Sequence, residues 1–135
     1  MVEIDIVYNG ELRCLATHQP SSTVLTTDAP KDNHGKGESF SPTDLVATAL
    51  GTCILTMMGI AAQSMQIDLS GTKVVVRKEM AAKPIRRIGT LAVTIDVPLS
   101  LGEAQRQKLI HAAMTCPVHK SMHPDILMPI DFRWA

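Results

Sequence analysis

The chain has 135 residues, thirteen of them basic and thirteen acidic, so its formal net charge at neutral pH is zero. That length suits one domain with a real core, residues 1–135, rather than two. Only four residues are Phe, Trp or Tyr, so the basic field and stacking rings of a nucleic-acid surface are both missing, and no nucleic-acid partner is expected.

Three cysteines without a secretory pattern ahead of them point to reduced thiols in a cytoplasmic protein and against a disulfide scaffold. Val2 to Tyr8 alternates, with Val2, Ile4, Ile6 and Tyr8 on one face and Glu3 and Asp5 on the other; this predicts a half-buried strand. Asn9-Gly10 is a strong hairpin turn signal. Leu12–Thr17 returns as a second strand, His18–Ser21 turns the chain, and Ser22–Thr27 reads as a third. The first 27 residues thus predict an antiparallel meander. Asp28–Phe40, DAPKDNHGKGESF, is a polar loop of turn formers. Its Gly35 and Gly37 form a lone GxG, too short for a phosphate cradle, and read as flexibility.

Ser41–Ser64 is the stretch around which the rest is arranged. Ser41 is a helix cap, Pro42 at the first helical position has no N–H to orphan, and Asp44 stands in the reach-back position of a capping box. No charged residue occurs from Leu45 to Ile67, which predicts a helix buried on every face. Its length matches a membrane span. However, Thr48, Gly51, Thr52, Thr56, Gly59, Gln63 and Ser64 dilute its hydrophobicity, and no Lys or Arg cluster flanks it. A core helix is the better reading, with no membrane partner. Thr72–Lys78 and Leu91–Val97 then read as strands joined through Lys83-Pro84-Ile85. Ser100-Leu101-Gly102-Glu103 is a capping box for a helix ending near Met114. Cys116–Pro124 holds a short helix, and Ile130–Trp134 is a last strand that Pro129 marks as an edge. Three strands, a long helix, two strands, two helices and a strand make an α+β domain.

The thiols carry the chemistry. Cys53 sits in the middle of the long helix, where a small buried hydrophobe is the ordinary role of a free cysteine. Cys116 precedes a proline that opens a helix, so the helix dipole, His119 and Lys120 all favour its thiolate. Cys14, in a strand beside Arg13, reads as packing. Cys116, His119 and His123 follow C-x2-H-x3-H, a spacing that could hold a metal on one helical face. Pro117 and Pro124 bracket that helix closely and no further ligand pair exists, so metal ranks below thiol chemistry. Neither a metal nor a cofactor is expected.

The segments FSPTDLVATALGTC and TCPVHKSM resemble the two cysteine motifs of the OsmC/Ohr family of thiol-dependent peroxidases and stress proteins. LRCLATHQPSSTVLTTDAPKDNHGKGE resembles a less characterised branch of that family, and the order of elements fits along nearly the whole chain. The resemblance implies an intertwined homodimer, with antiparallel sheets wrapped around long central helices. It implies that Cys53 is the peroxidatic cysteine and Cys116 the resolving one. The Cys53 thiolate attacks an organic hydroperoxide, becomes sulfenic acid and condenses with Cys116 to a disulfide. A dithiol or lipoyl-type reductant then restores the pair. The alternative is a member of the same fold that binds a small hydrophobic or thiol-reactive ligand without efficient turnover.

The sequence departs from the family pattern at two places. The Glu found ten residues before the peroxidatic cysteine is replaced by Thr43, with Asp44 next to it. No Arg occurs between His18 and Asp28, which makes Arg13 the nearest cationic candidate to steady the Cys53 thiolate. In a regular helix Asp44 is roughly 13 Å along the axis from Cys53 and on the opposite face. Asp44 therefore serves the cap or acts across a dimer. Glu38, in the loop expected to be mobile, is the other carboxylate assigned to the site.

Overall fold

Alternating apolar residues open the chain as three strands, β1 (Ile4–Gly10), β2 (Arg13–His18) and β3 (Thr23–Asp28), paired antiparallel in that order. The structure is a computed structural model that describes residues 1–135. The first hairpin turns later than Asn9-Gly10 suggests. Gly10 pairs with Arg13, and the two turn residues are Glu11 (φ 55°) and Leu12 (φ 64°). Two positive φ values are what a two-residue turn matching the strand twist requires. A register shift between Tyr8 and Gly10 absorbs the displaced residue.

The expected half-burial of β1 is not what the chain achieves. Ile4, Ile6, Val7 and Tyr8 are all 57–67% exposed, so both faces of the strand are open. Alternation selects an apolar face, but a face is buried only when another layer covers it.

The segment after β3 is held rather than loose. Ala29 N–H donates to Leu12 O (3.2 Å), Asp28 N–H to Phe40 O (3.1 Å) and Gly37 N–H to Ala29 O (3.1 Å), around a single 3-10 turn at Lys31–Asn33. Gly35 is a steric requirement and not a source of flexibility, because a Cβ there would lie 1.8 Å from Ala29 O.

Helix α1 (Pro42–Ser64) starts as the capping residues dictate. Asp44 N–H donates to Ser41 Oγ (3.1 Å), and Ser41 N–H donates to Asp44 Oδ2 (2.9 Å). Both halves of the box are formed, so Asp44 serves the cap. The chain divides into two compact units, Met1–Val46 and Ala47–Ala135.

The second unit contains most of α1, a three-stranded sheet and two further helices. The sheet order is β4 (Lys73–Ala81), β5 (Arg87–Val97), β6 (Ile130–Trp134). β4 pairs antiparallel with β5, but β6 joins parallel to β5, so this sheet is mixed and not purely antiparallel. Helices α2 (Glu103–Met114) and α3 (Pro117–Ser121) form the crossover that a parallel pairing needs. β6 occupies the edge, where Pro129 suggested it. Central β5 buries one face fully, the other being half-buried at Thr90, Ala92 and Asp96, and Leu91, Val93 and Ile95 join Leu50, Ile54 and Met58 of α1 and Leu109 of α2 in the core. Arg106 lies over the Trp134 ring (5.5 Å), which stacks on Phe132 (5.8 Å between centroids), tying α2 to β6.

Two expectations shift here. α2 begins at Glu103 with Gly102 as its cap, and Gln105 Oε1 accepts the Gly102 N–H at 3.2 Å. Gln105 is three residues past Gly102, just as Glu103 is three past Ser100, so the reach-back spacing fits both windows and the later one forms. α1 is long and apolar enough to cross a membrane by length and composition, yet it is not buried all round. Ala47, Leu50, Gly51, Ile54, Met58 and Ala62 form one buried face, while Thr48, Thr52, Thr56 and Ile60 are exposed on the other. The threonines satisfy their hydroxyls on the helix itself: Thr52 Oγ1 donates to Thr48 O and Thr56 Oγ1 to Thr52 O, each at 2.8 Å.

Gly51 brings the buried face of α1 against β4. A Cβ at this position would meet Val76 Cγ2 at 3.0 Å and Val74 Cγ1 at 3.3 Å, and both valines are stiff. Gly51→Ala gains about 1 kcal/mol in helix propensity but overpacks by about 1–3 kcal/mol. The expected outcome is a net loss of stability, read as a lower urea midpoint with the slope unchanged.

Candidate functional site

Cys53 and Cys116 are separated by 63 positions in the chain, and the second unit brings them together. Cys53 neighbours Cys116 closely enough to act on its thiol, raising it. Cys53 projects from α1 and is partly exposed; Cys116 is fully buried. Two residues at about 100° each turn Cys53 to the side of α1 away from Gly51 and its strand.

Cys116 is the N-cap of α3, with Pro117 in the first turn, and its Sγ accepts the His119 N–H at 3.2 Å. The helix start at this cysteine follows from the sequence. The electrostatic consequence does not. Burial pushes the Cys116 thiol up, and the hydrogen bond from the His119 N–H pulls it down by less; Cys53 pushes it up further. The expected preference of Cys116 for thiolate is therefore reversed, because a side chain with no exposed surface loses more hydration than one cap hydrogen bond returns.

The three residues of the C-x2-H-x3-H spacing do not share a helical face. α3 ends at Ser121, Met122 is extended, and His123 Nδ1 accepts the Asp125 N–H at 3.1 Å beyond the helix. No group of three or more His, Cys, Asp or Glu side chains gathers anywhere in the chain. A groove of about 610 Å³ runs beside the second half of α1 and α2, lined by Met57, Ile60, Ala61, Lys108 and His111 among others. Neither Cys53 nor Cys116 lines it, although Thr115, next to Cys116, does.

Arg13 and Glu38 meet in the first unit. Arg13 Nη2 donates to Glu38 Oε2 at 2.6 Å and lies 3.5 Å from Asp28 Oδ2. The Glu38 hydrogen bond leads the causes that raise Arg13 above its ordinary value. Glu38 is also fixed through its backbone, since its N–H donates to Asp28 Oδ2 at 3.0 Å. Asp28, the first residue of the loop expected from the sequence, is the last residue of β3 and the centre of this cluster. It is 2% exposed, and the Glu38 N–H, ahead of Arg13, holds its carboxyl below the usual carboxylate range. The signal that could have found it is register: Arg13 and Asp28 are direct cross-strand partners. Placing β3 at Ser22–Thr27 hides that pairing. Cys14, between them and Leu15 in β2, faces Tyr8 and Thr27 as cross-strand neighbours.

The family model of OsmC-like proteins matches residues 35–129. No curated protein matches the chain. Among solved structures, a protein of Psychrobacter arcticus 273-4, named for osmotic stress induction and detoxification response, is 44% identical, with a TM-score of 0.93 over 98% of this chain and 96% of that one. The organic hydroperoxide resistance protein OsmC of Legionella pneumophila has a TM-score of 0.79 at 15% identity, over 98% of this chain and 96% of that one. The organic hydroperoxide resistance protein OhrB of Bacillus subtilis has a TM-score of 0.72 at 14% identity, over 98% of both chains. The chain has the α+β OsmC-like fold.

The raised Cys116 thiol makes stability depend on alkaline pH. An acid whose folded value lies above its unfolded one contributes stability that is complete below the ordinary thiol value, 9.0, and lost as pH climbs towards the folded value. Under reducing conditions, the urea midpoint should fall as pH rises above about 9. The fall should be shallower in Cys116→Ala, whatever that variant's stability at neutral pH.

Proposed function

The chain belongs to the OsmC-like protein family, and on that premise we propose that it is a thiol-dependent peroxidase of organic hydroperoxides. The observation that carries the reading is the pairing of Cys53, partly exposed, with Cys116, buried and raised by it, from distant parts of the sequence. A partly exposed sulfur can meet a peroxide, and a buried neighbour can meet only that sulfur.

The Cys53 sulfur attacks the peroxide O–O bond. An S–O bond forms, the O–O bond breaks, and the alcohol leaves with a proton. The sulfenic acid then condenses with Cys116, expelling water and forming the disulfide. A dithiol or lipoyl-type reductant returns both thiols. Arg13 and Glu38 are the charged residues assigned to the reaction, Arg13 to steady the anionic sulfur and the peroxide. The names of the Legionella and Bacillus proteins support organic hydroperoxides as the substrate class. We place the activity in the cytoplasm, with residues 1–135 acting as one OsmC-like domain.

The working form is a homodimer. The apolar residues open on both faces of β1 and the exposed Ile60 of α1 support it, because soluble monomers rarely leave large contiguous apolar patches uncovered. Sedimentation at micromolar concentration should find a dimer, and the thermal midpoint should rise with protein concentration. A well-folded monomer would contradict this.

The enzyme should consume cumene hydroperoxide with dithiothreitol or dihydrolipoamide, and Cys53→Ser should abolish consumption. Mild peroxide should give a Cys53–Cys116 disulfide in peptide maps, with Cys14 left as a thiol. Turnover that survives Cys53→Ser sinks the assignment. A wild-type chain that binds but never turns over a hydroperoxide points instead to a ligand-binding member of the fold.

A further inference from the structure

The groove beside α1 and α2 carries a pattern that the thiol chemistry does not use. Met57, Ile60 and Ala61 line it from α1, and Lys108, His111 and Thr115 from α2. Within each helix these residues are three or four apart, so each set forms one stripe. Cys53 stands one helical turn before Met57, and Thr115 adjoins Cys116. The groove therefore begins beside the thiol pair and leads away from it along the two helices.

Its walls are apolar, and its polar groups fall into two kinds. Ser64 Oγ donates to Ala61 O at 2.7 Å, Thr115 Oγ1 to His111 O at 3.0 Å, and Gln107 Nε2 to Glu103 Oε1 at 2.7 Å. These groups are engaged within the chain. The Lys108 ammonium and the His111 ring are not. They stand three residues apart on one face of α2, so they are neighbours. An ammonium offers three donors, and an imidazole offers an N–H whether neutral or charged. No Asp or Glu lines the groove to compensate them.

We propose that the groove is a binding site for a straight-chain aliphatic carboxylate. The carboxylate lies on Lys108 and His111, and the alkyl chain runs over Ile60, Ala61 and Met57 towards the thiols. Charge complementarity selects this occupant: an apolar body fits the walls, and one anionic end fits the two donors left without a partner. An apolar cleft with a few convergent polar groups is the usual form of a small-molecule site. Lys108 precedes Thr115 by seven residues, about 10 Å along α2, which sets the length of chain the groove takes. The site goes beyond the thiol-peroxidase reading, since its ligand needs no peroxide group and undergoes no reaction. Its far end comes within one helical turn of Cys53, so occupancy limits access to that sulfur.

The test is calorimetric titration of the reduced protein with hexanoate, octanoate, decanoate and 1-octanol at neutral pH. Binding of the carboxylates should saturate and tighten by up to about fourfold for each added CH₂. Lys108→Gln, a change at an exposed position, should weaken octanoate about fivefold and leave 1-octanol unchanged. Lys108→Arg should bind octanoate as the parent does. Absence of saturable binding overturns the proposal, and so does an octanoate affinity that Lys108→Gln leaves intact. Sedimentation in which octanoate splits the dimer assigns the groove to contacts between copies of the chain and overturns it too.

A second readout locates the ligand. Octanoate should slow alkylation of Cys53 by iodoacetamide, followed by peptide mapping, over the concentration range in which it binds. The same octanoate should have less effect in Lys108→Gln. A Cys53 rate that octanoate does not change overturns the placement. Neither readout involves a peroxide, so a chain inert towards hydroperoxides would sink the peroxidase reading and leave this site tested separately.

Discussion

A backbone N–H from His119, donated to the sulfur of Cys116, is the interaction on which the thiol site depends. It starts α3, a helix too short to be stable by propensity alone, and it fixes the sulfur of a residue that has no exposed surface. Pro117 contributes by presenting no N–H of its own at the first helical position. The result is a buried thiol raised above its ordinary value, by burial first and in part by a second thiol on α1. Had the same cysteine been at an exposed helix start, the dipole and the flanking His119 and Lys120 would have favoured the thiolate. Burial decides the sign.

α1 is placed by a different constraint. At Gly51 its backbone approaches β4 closely enough that even a Cβ would crowd Val76 and Val74. The face that makes this approach carries Leu50, Ile54 and Met58 into a core shared with β5 and α2. The other face carries hydroxyls that bond back to the helix and stay exposed. Cys53 lies between these two faces, so it can touch a buried residue and still be reached from outside. A helix buried on every side within one chain would have hidden it.

The first unit shows how a charge can be present and still be engaged. Arg13 is held between the buried carboxylate of Asp28 and the exposed one of Glu38. Asp28 in turn holds the Glu38 backbone, so the arginine, the strand end and the segment leading to Ser41 are one hydrogen-bonded assembly. Gly35 packs against Ala29 within it. A segment whose composition reads as loose is in fact closed by backbone contacts, because turn-forming residues permit compact loops as readily as mobile ones.

The sequence by itself determined the elements and the residues that bound them. Alternation marked the strands, Ser41 and Asp44 began α1 where the structure has it, Cys116 and Pro117 began α3, and the two cysteine motifs pointed to the OsmC-like fold. These features are local: a cap, a turn or a strand period depends on residues a few positions apart. Tertiary structure decided everything that depends on what covers what. It set the parallel pairing of β6, the exposed stripe of α1 and the open faces of β1. It also set the steric need for Gly35, the partnership of Arg13 with Asp28, and the upward shift of the Cys116 thiol. Each of these follows from burial or cross-strand register, and neither is a property of a stretch of chain taken alone.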